Sequence, residues 1–166
     1  MVEMELLGVR VEVPATTPVL VMREKGVAGP PRMLQIFIAG PEATAIAVAM
    51  EGIQPRRPLT HDLLKTLLEE FGGVLDQVVI TEVHDGVFYA ELHIATTGGT
   101  GVVSCRPSDA IALAVRTQSP IYAAEAVLAE AGYVEPDEIE GEAMTEDMVE
   151  MFREFIENVE PEDFEP

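Results

Sequence analysis

Three carboxylates stand where the sequence predicts the start of a helix. Glu42, Asp62 and Asp109 each fall in the first turn of a predicted helix. An acid in that position complements the partial positive charge of the helix end, an effect of about 0.3–1 kcal/mol that requires no further role. If at least two of them converge, with His61 or water completing the shell, they form a site for a divalent cation or for activating water. Both interpretations stay open here.

Two arginines precede two of these helices. Arg57 lies just before the second predicted helix and Arg106 just before the third, where Ser108 follows. Free N–H groups, the helix dipole and a guanidinium all favour an anion, so Arg57, Arg106 and Ser108 are the candidate phosphate-binding residues. The alternative is that the two arginines pair with the three carboxylates as internal ion pairs.

His61 stands beside an acid at a helix start. It is either a general base or metal ligand, or an ordinary residue of the first helical turn. Cys105 precedes Arg106 and is either a thiol of lowered pKa or, as we prefer, a small buried residue. The sequence contains no phosphate-binding loop, dinucleotide fingerprint, paired Cys-x-x-Cys or serine-hydrolase elbow.

Hydrophobic periodicity predicts the elements that position these residues. The class predicted is α+β: a mixed β-sheet with helices packed on it, in a single compact domain over residues 1–134, plus a C-terminal helix. Strands are predicted at 4–13, 18–24, 33–39, 75–83, 87–95 and 101–105, and helices at 41–51, 61–71, 107–117 and 123–131. The second helix is predicted to have Thr60 as N-cap and one apolar stripe, consisting of Leu63, Leu64, Leu67, Leu68 and Phe71.

The clearest local signal is a β-hairpin around Asp85-Gly86. A regular two-residue turn there pairs Thr81 with Ala90. In that register the outer face of the hairpin is too apolar for open solvent, which predicts a homodimer or a larger homo-oligomer. The outer residues are Val78, Ile80 and Tyr89.

The C-terminal part is strongly acidic. Residues 135–166 hold 14 of the 30 acids and one base, Arg153. We predict an acidic linker over 135–144 and an acidic amphipathic helix over 145–166. Its apolar stripe needs a partner, either the chain's own domain or another protein. The stripe consists of Met148, Phe152, Phe155, Ile156 and Val159.

Composition excludes several classes of protein. The chain of 166 residues is 48% apolar and 24% charged, as expected for one globular domain. Its single cysteine rules out a disulfide-built secreted fold. The net charge of −20 disfavours tight non-specific binding to nucleic acid. An acidic start and the absence of a long apolar run predict a cytoplasmic protein without membrane association.

Two segments, Arg57–Leu64 and Arg106–Ala114, together resemble the signature stretches of the bifunctional nuclease domain family. The similarity covers about residues 5–133, and residues 152–164 are similar to the C-terminal extension of bacterial members. The resemblance implies a small mixed α/β fold that associates with itself, and DNase and RNase activity. One departure is Ser104, which stands where many members have an acid; if that acid binds metal, a ligand is missing here.

Two functions are consistent with these observations. The first is a nuclease acting on DNA or RNA, for which carboxylates usually employ Mg²⁺ or Mn²⁺ and no organic cofactor is expected. Its catalytic residues would be His61, Asp62, Asp109 and Glu42, of which Asp62, Asp109 and Glu42 would bind the metal. The second function is a non-catalytic interaction or regulatory domain, in which the arginines and carboxylates form a structural network.

Overall fold

The computed structural model describes residues 1–11 and 16–135. The chain divides into two units, Met1–Val134 and Glu135–Pro166, and the described helices and strands all belong to the first. The predicted acidic linker lies outside the described residues except for Glu135, and the predicted helix over 145–166 lies outside them entirely. Among the described residues, no helix is both long and apolar enough to cross a membrane.

The described part of the first unit contains one mixed sheet and four helices, which confirms the predicted α+β class. All neighbouring strands run antiparallel except β4 and β7, which are parallel. The order across the sheet is β6-β5-β4-β7-β1-β2-β3-β8. In chain order the elements are β1 (Val2–Val11), β2 (Pro18–Glu24), β3 (Arg32–Phe37), α1 (Gly40–Met50), α2 (Thr60–Glu70), β4 (Val74–His84), β5 (Val87–Thr96), β6 (Gly99–Cys105), α3 (Pro107–Thr117), β7 (Ile121–Ala123), α4 (Glu125–Ala131) and β8 (Tyr133–Val134).

The main core lies between one face of this sheet and the helices. Strand β2 shows how the sequence builds it: Leu20 and Met22 belong to the main core, while Val19 and Val21 belong to a smaller cluster. Because successive residues of a strand point to opposite faces, a continuous apolar run is buried on both sides of the sheet. Helix α3 packs its apolar face into the main core, and this packing fixes the position of its N-terminal end.

The hairpin turn is confirmed, but its register is not the predicted one. Asp85 and Gly86 have φ values of 50° and 78°, as the tight turn requires. A β-bulge at Thr81 then makes Ala90 pair with Ile80 instead of Thr81. A bulge of one residue reverses the face to which the following side chains point.

The prediction of an apolar outer face on the hairpin is therefore wrong. Val78 and Ile80 are fully buried in the main core, and only Tyr89 of the three is exposed, at 43%. The stripe of α2 is also mostly uncovered. Leu68 is partly buried against the core, whereas Leu63, Leu64, Leu67 and Phe71 are exposed. The N-cap of this helix is Leu59, not Thr60, because Asp62 Oδ2 accepts a hydrogen bond of 2.8 Å from the Leu59 backbone N–H.

Candidate functional site

The starts of three helices meet beside a single cavity. Glu42 lies in the first turn of α1, Asp109 in the first turn of α3, and His61 at the beginning of α2. All three side chains line a cavity of about 660 Å³, and Arg106, the N-cap residue of α3, lines it too. The beginnings of α2 and α3 lie close together, since His61 Nε2 is 3.2 Å from Asp109 Oδ1.

Arg106 joins two of the predicted acids. Its Nε donates to Asp109 Oδ2 at 2.7 Å, and its Nη2 donates both to Asp109 Oδ1 at 2.9 Å and to Glu42 Oε1 at 2.8 Å. The guanidinium side chain is 64% exposed, whereas those of Glu42 and Asp109 are 15% and 28% exposed. For Arg106, the predicted pairing with the carboxylates is therefore confirmed, and the arginine forms the solvent side of the cluster.

The electrostatics keep Asp109 ionised. Burial acts to raise the pKa of Asp109, but hydrogen bonds from Arg106 and His61 outweigh it and hold that pKa below its ordinary value. The two carboxylates raise the pKa of Arg106, chiefly through the hydrogen bonds to Asp109. The ionised carboxylate of Asp109 is therefore paired directly with the positive charge of Arg106.

His61 is the buried histidine of the cluster, at 7% exposure. An ionised Asp109 accepts a hydrogen bond from Nε2–H, which selects the tautomer with a lone pair on Nδ1. Among the described residues, no side chain or backbone group bonds that Nδ1. The arrangement is that of a histidine general base oriented by a carboxylate.

Asp62 does not join this cluster. Its Oδ1 accepts a hydrogen bond of 2.5 Å from Nε of Arg116, and its Oδ2 caps α2 at Leu59. Burial acts to raise the pKa of Asp62, but the hydrogen bonds from Arg116 and Leu59 hold it below its ordinary value. Both oxygens are engaged, so Asp62 has a structural role in this arrangement.

Arg116 is the residue that the sequence analysis did not single out. Its side chain is 6% exposed, and its guanidinium also donates to the carbonyl oxygens of Ala112 and Ala45, at 2.8 and 3.1 Å. The sequence did hold a signal for it: Arg116 is a charged residue that directly follows the apolar run of residues 110–115 in α3. An arginine in such surroundings requires a partner.

The other two candidate phosphate-binding residues do not line this cavity. Arg57 is exposed, and its side chain makes no ion pair with any residue that the structure describes. Ser108 is buried, at 6% exposure, and lines a separate cavity of about 330 Å³ together with Phe88. Arg106 lines both cavities and is the arginine that the structure places with the acids.

Cys105 lines the larger cavity and is half-buried. Burial raises the pKa of its thiol to about 11, and the neighbouring charges of Asp109 and Glu91 act in the same direction. The thiol is therefore protonated near neutral pH, as the preferred interpretation of a small packing residue requires.

A divalent cation held by protein side chains needs several ligands that converge on one point. Within residues 1–11 and 16–135, no group of three His, Cys, Asp or Glu side chains is placed to hold a metal ion. Asp62 is engaged elsewhere, and the guanidinium of Arg106 bridges Glu42 and Asp109. The second oxygen of Glu42, Oε2, is buried without a hydrogen-bond partner. In this arrangement the predicted three-acid set is not assembled, so the residues do not fit a metal held by the protein alone.

Fold and site together define a small α+β domain in which a histidine–carboxylate pair and an arginine line a cavity. Bifunctional nuclease domain is the description of the family that matches residues 19–136. This match spans more than half of the chain, and the protein therefore belongs to the bifunctional nuclease domain family.

Similar proteins occur in bacteria and plants. A protein of Mycobacterium tuberculosis (strain ATCC 25618 / H37Rv), described as uncharacterized, is 46% identical over 165 residues, covering 98% of this chain and 97% of its own. Bifunctional nuclease 2 of Arabidopsis thaliana is 33% identical over 93 residues, covering 54% of this chain and 28% of its own. Bifunctional nuclease 1 of Oryza sativa subsp. japonica is 29% identical over 92 residues, with the same coverage.

Proposed function

We propose that this protein is a nuclease that hydrolyses phosphodiester bonds of DNA or RNA at the cavity lined by His61, Arg106 and Asp109. The observation that carries the proposal is the hydrogen bond between His61 Nε2 and Asp109 Oδ1, beside an arginine with unused donors. Membership of the family and the names of the plant relatives support it. A cytoplasmic location, expected from the composition, is part of the proposal.

Each residue of the cluster has a role in this reaction. His61 takes a proton from the attacking water at Nδ1 and returns a proton to the leaving oxygen when the P–O bond breaks. Asp109 orients the imidazole and stabilises its charged form. The products are a phosphomonoester and an alcohol.

Arg106 is the group that binds the phosphate. Its Nε and Nη2 are engaged by the carboxylates, but no described residue accepts a hydrogen bond from its Nη1. Two N–H donors therefore remain for a phosphate oxygen. Glu42 holds the guanidinium in place from the other side.

A second function is favoured by one observation. Every carboxylate of the predicted set is already paired, Glu42 and Asp109 with Arg106, and Asp62 with Arg116. An ion-paired network of this kind fits a non-catalytic interaction or regulatory domain, because ion pairs can hold helix ends together without any chemistry.

A cleavage assay separates the two functions. Purified protein is incubated with end-labelled DNA and RNA in Mg²⁺, in Mn²⁺ or in chelator, beside the variants His61→Asn and His84→Asn. His84 also contacts a carboxylate, Glu82, but its side chain is 66% exposed and it does not line the cavity. The proposal predicts that His61→Asn lowers the cleavage rate by about a hundredfold or more, while His84→Asn cleaves like the parent.

The metal requirement remains a prediction that the same assay tests. Cleavage in chelator would show that His61 and Arg106 suffice, and cleavage confined to Mg²⁺ or Mn²⁺ would show that a cation joins the site. If the folded parent protein cleaves neither DNA nor RNA under any condition, the interaction domain is the better assignment.

A further inference from the structure

The cavity beside His61 and Asp109 has one charged end and apolar walls. Its charged end is formed by Glu42, Arg106 and Asp109. The apolar lining consists of Pro41, Ala45, Leu59, Leu64, Leu92 and Leu113. A volume of about 660 Å³ falls among the pockets that enclose one small organic group.

The charge around the cavity does not favour a duplex. Proteins that hold duplex DNA or RNA by its backbone use several lysines or arginines along the path of the phosphates. Among the described residues that line this cavity, Arg106 is the sole lysine or arginine. Residues 1–134 also hold more acids than bases, 16 against 9. Binding energy for a polymer must therefore come from something other than phosphate contacts.

The apolar walls of the cavity can provide this binding energy for an unpaired base. The faces of a nucleobase are apolar, and burying them against leucine side chains is favourable. A base within a duplex is stacked and paired, so it reaches a cavity of this kind only after it is flipped out, which costs free energy. An unpaired base avoids most of that cost.

From these observations we infer that the cavity binds one unpaired nucleotide of single-stranded nucleic acid, with the base against Leu64 and the other apolar walls and the phosphate at Arg106. Intact duplex is a poor ligand for the site. The inference rests on the proposed function for its ligand class and specifies the substrate form that the function leaves open.

The test is a binding measurement that does not depend on cleavage. Fluorescence anisotropy is recorded with a fluorescein-labelled single strand carrying phosphorothioate linkages, and with the same strand annealed to its complement. The parent protein is compared with Leu64→Asn and Leu63→Asn. These adjacent leucines of α2 have similar exposure, 43% and 52%, but only Leu64 lines the cavity.

The inference predicts that the single strand binds at least about tenfold more tightly than the duplex, since a duplex must first unstack and unpair the base. Leu64→Asn should weaken single-strand binding by about fivefold, as expected for losing a partly buried apolar contact, and Leu63→Asn should leave it unchanged. The slope of log K against log salt concentration should be about −1 or shallower, because only one phosphate pairs with an arginine.

Failure of the inference differs from failure of the proposed function. Single-strand binding that depends on Leu64, in a protein that cleaves nothing, supports the inference and refutes the nuclease. Equal binding of both forms with a steep salt slope overturns the inference, even if the protein cleaves both. The inference also fails if neither form binds, or if the two leucine variants behave alike.

Discussion

His61 Nε2 lies 3.2 Å from Asp109 Oδ1, although 48 residues separate them in the chain. The contact joins the start of α2 to the first turn of α3, and Arg106 extends it to Glu42 at the start of α1. Three helix ends, each with a partial positive charge, are thereby gathered around two carboxylates that stabilise them. The same contact gives the proposed nuclease its oriented histidine.

The first prediction concerns pH. The pKa of Asp109 is lowered in the folded state, so its ionised form stabilises the fold above its ordinary pKa of about 3.9, and this stabilisation is lost as the pH falls through the lower, folded value. Asp109→Asn should cost about 1 kcal/mol at neutral pH. The difference from the parent should shrink below about pH 4.

Urea denaturation at neutral pH and at about pH 3 measures this difference. Asp76→Asn, on the exposed side of β4, is the control and should stay within about 0.5 kcal/mol of the parent at both values. A difference between Asp109→Asn and the parent that does not change with pH would contradict the assigned ion pairing.

The second prediction concerns Arg116. Replacing it with methionine leaves the Asp62 carboxylate unpaired and removes the donors to the carbonyls of Ala45 and Ala112. We expect a loss of about 3 kcal/mol in unfolding free energy. Arg23→Met breaks an exposed pair with Glu5 and should cost less than about 1 kcal/mol. Equal losses in the two variants would show that the Arg116 contacts do not hold α2 and α3 together.

His61 and Asp109 were candidate site residues from the sequence, whereas Arg116 was not, and the difference has a physical reason. His61 and Asp109 both stand at helix starts that follow arginine and proline, which is a local signal. The pairing of Asp62 with Arg116 depends on how α2 crosses α3. The long side chain of Arg116 reaches back one turn to the carbonyl of Ala112 and meets Asp62 there. The hydrophobic periodicity of each helix does not specify how the two helices cross.

The hairpin shows the same division between local and non-local information. Asp85-Gly86 fixes the turn because both residues tolerate positive φ. No glycine or proline in the sequence indicates the bulge at Thr81. The bulge nevertheless changes the register, so that the side chains of Val78 and Ile80 are buried in the core. The position of β7 between β4 and β1 could not be predicted from the sequence either, because a strand of three residues shows little periodicity.

The third prediction separates a catalytic from a structural role for Arg106. Because its side chain is 64% exposed, Arg106→Gln should lower the unfolding free energy by no more than about 1 kcal/mol. Its loss of phosphate binding should reduce nucleic-acid cleavage by at least about tenfold. Arg57→Gln, which removes an exposed arginine that does not line the cavity, is the matched control and should cleave like the parent. Normal cleavage by Arg106→Gln would remove the arginine from the proposed mechanism.

The last prediction concerns self-association, for which the structure suggests a different surface from the one first expected. Strand β6 is at the edge of the sheet, and among the described residues no strand pairs with its outer side. Its seven residues include no charge and no proline, and Val102 and Val103 are 56% and 49% exposed. Natural proteins protect such edges with charges, prolines or a partner strand.

We therefore expect two copies to pair through β6, giving a homodimer of twice the 18.0 kDa chain mass in light scattering. Val103→Lys should yield monomer, because a charge on the edge opposes strand pairing. Val74→Lys, at the exposed start of β4, should remain dimeric. Raising the salt concentration should strengthen the dimer, since each chain carries a net charge of −20 and screening reduces the repulsion. A parent protein that scatters as an 18.0 kDa monomer at every salt concentration would rule this interface out.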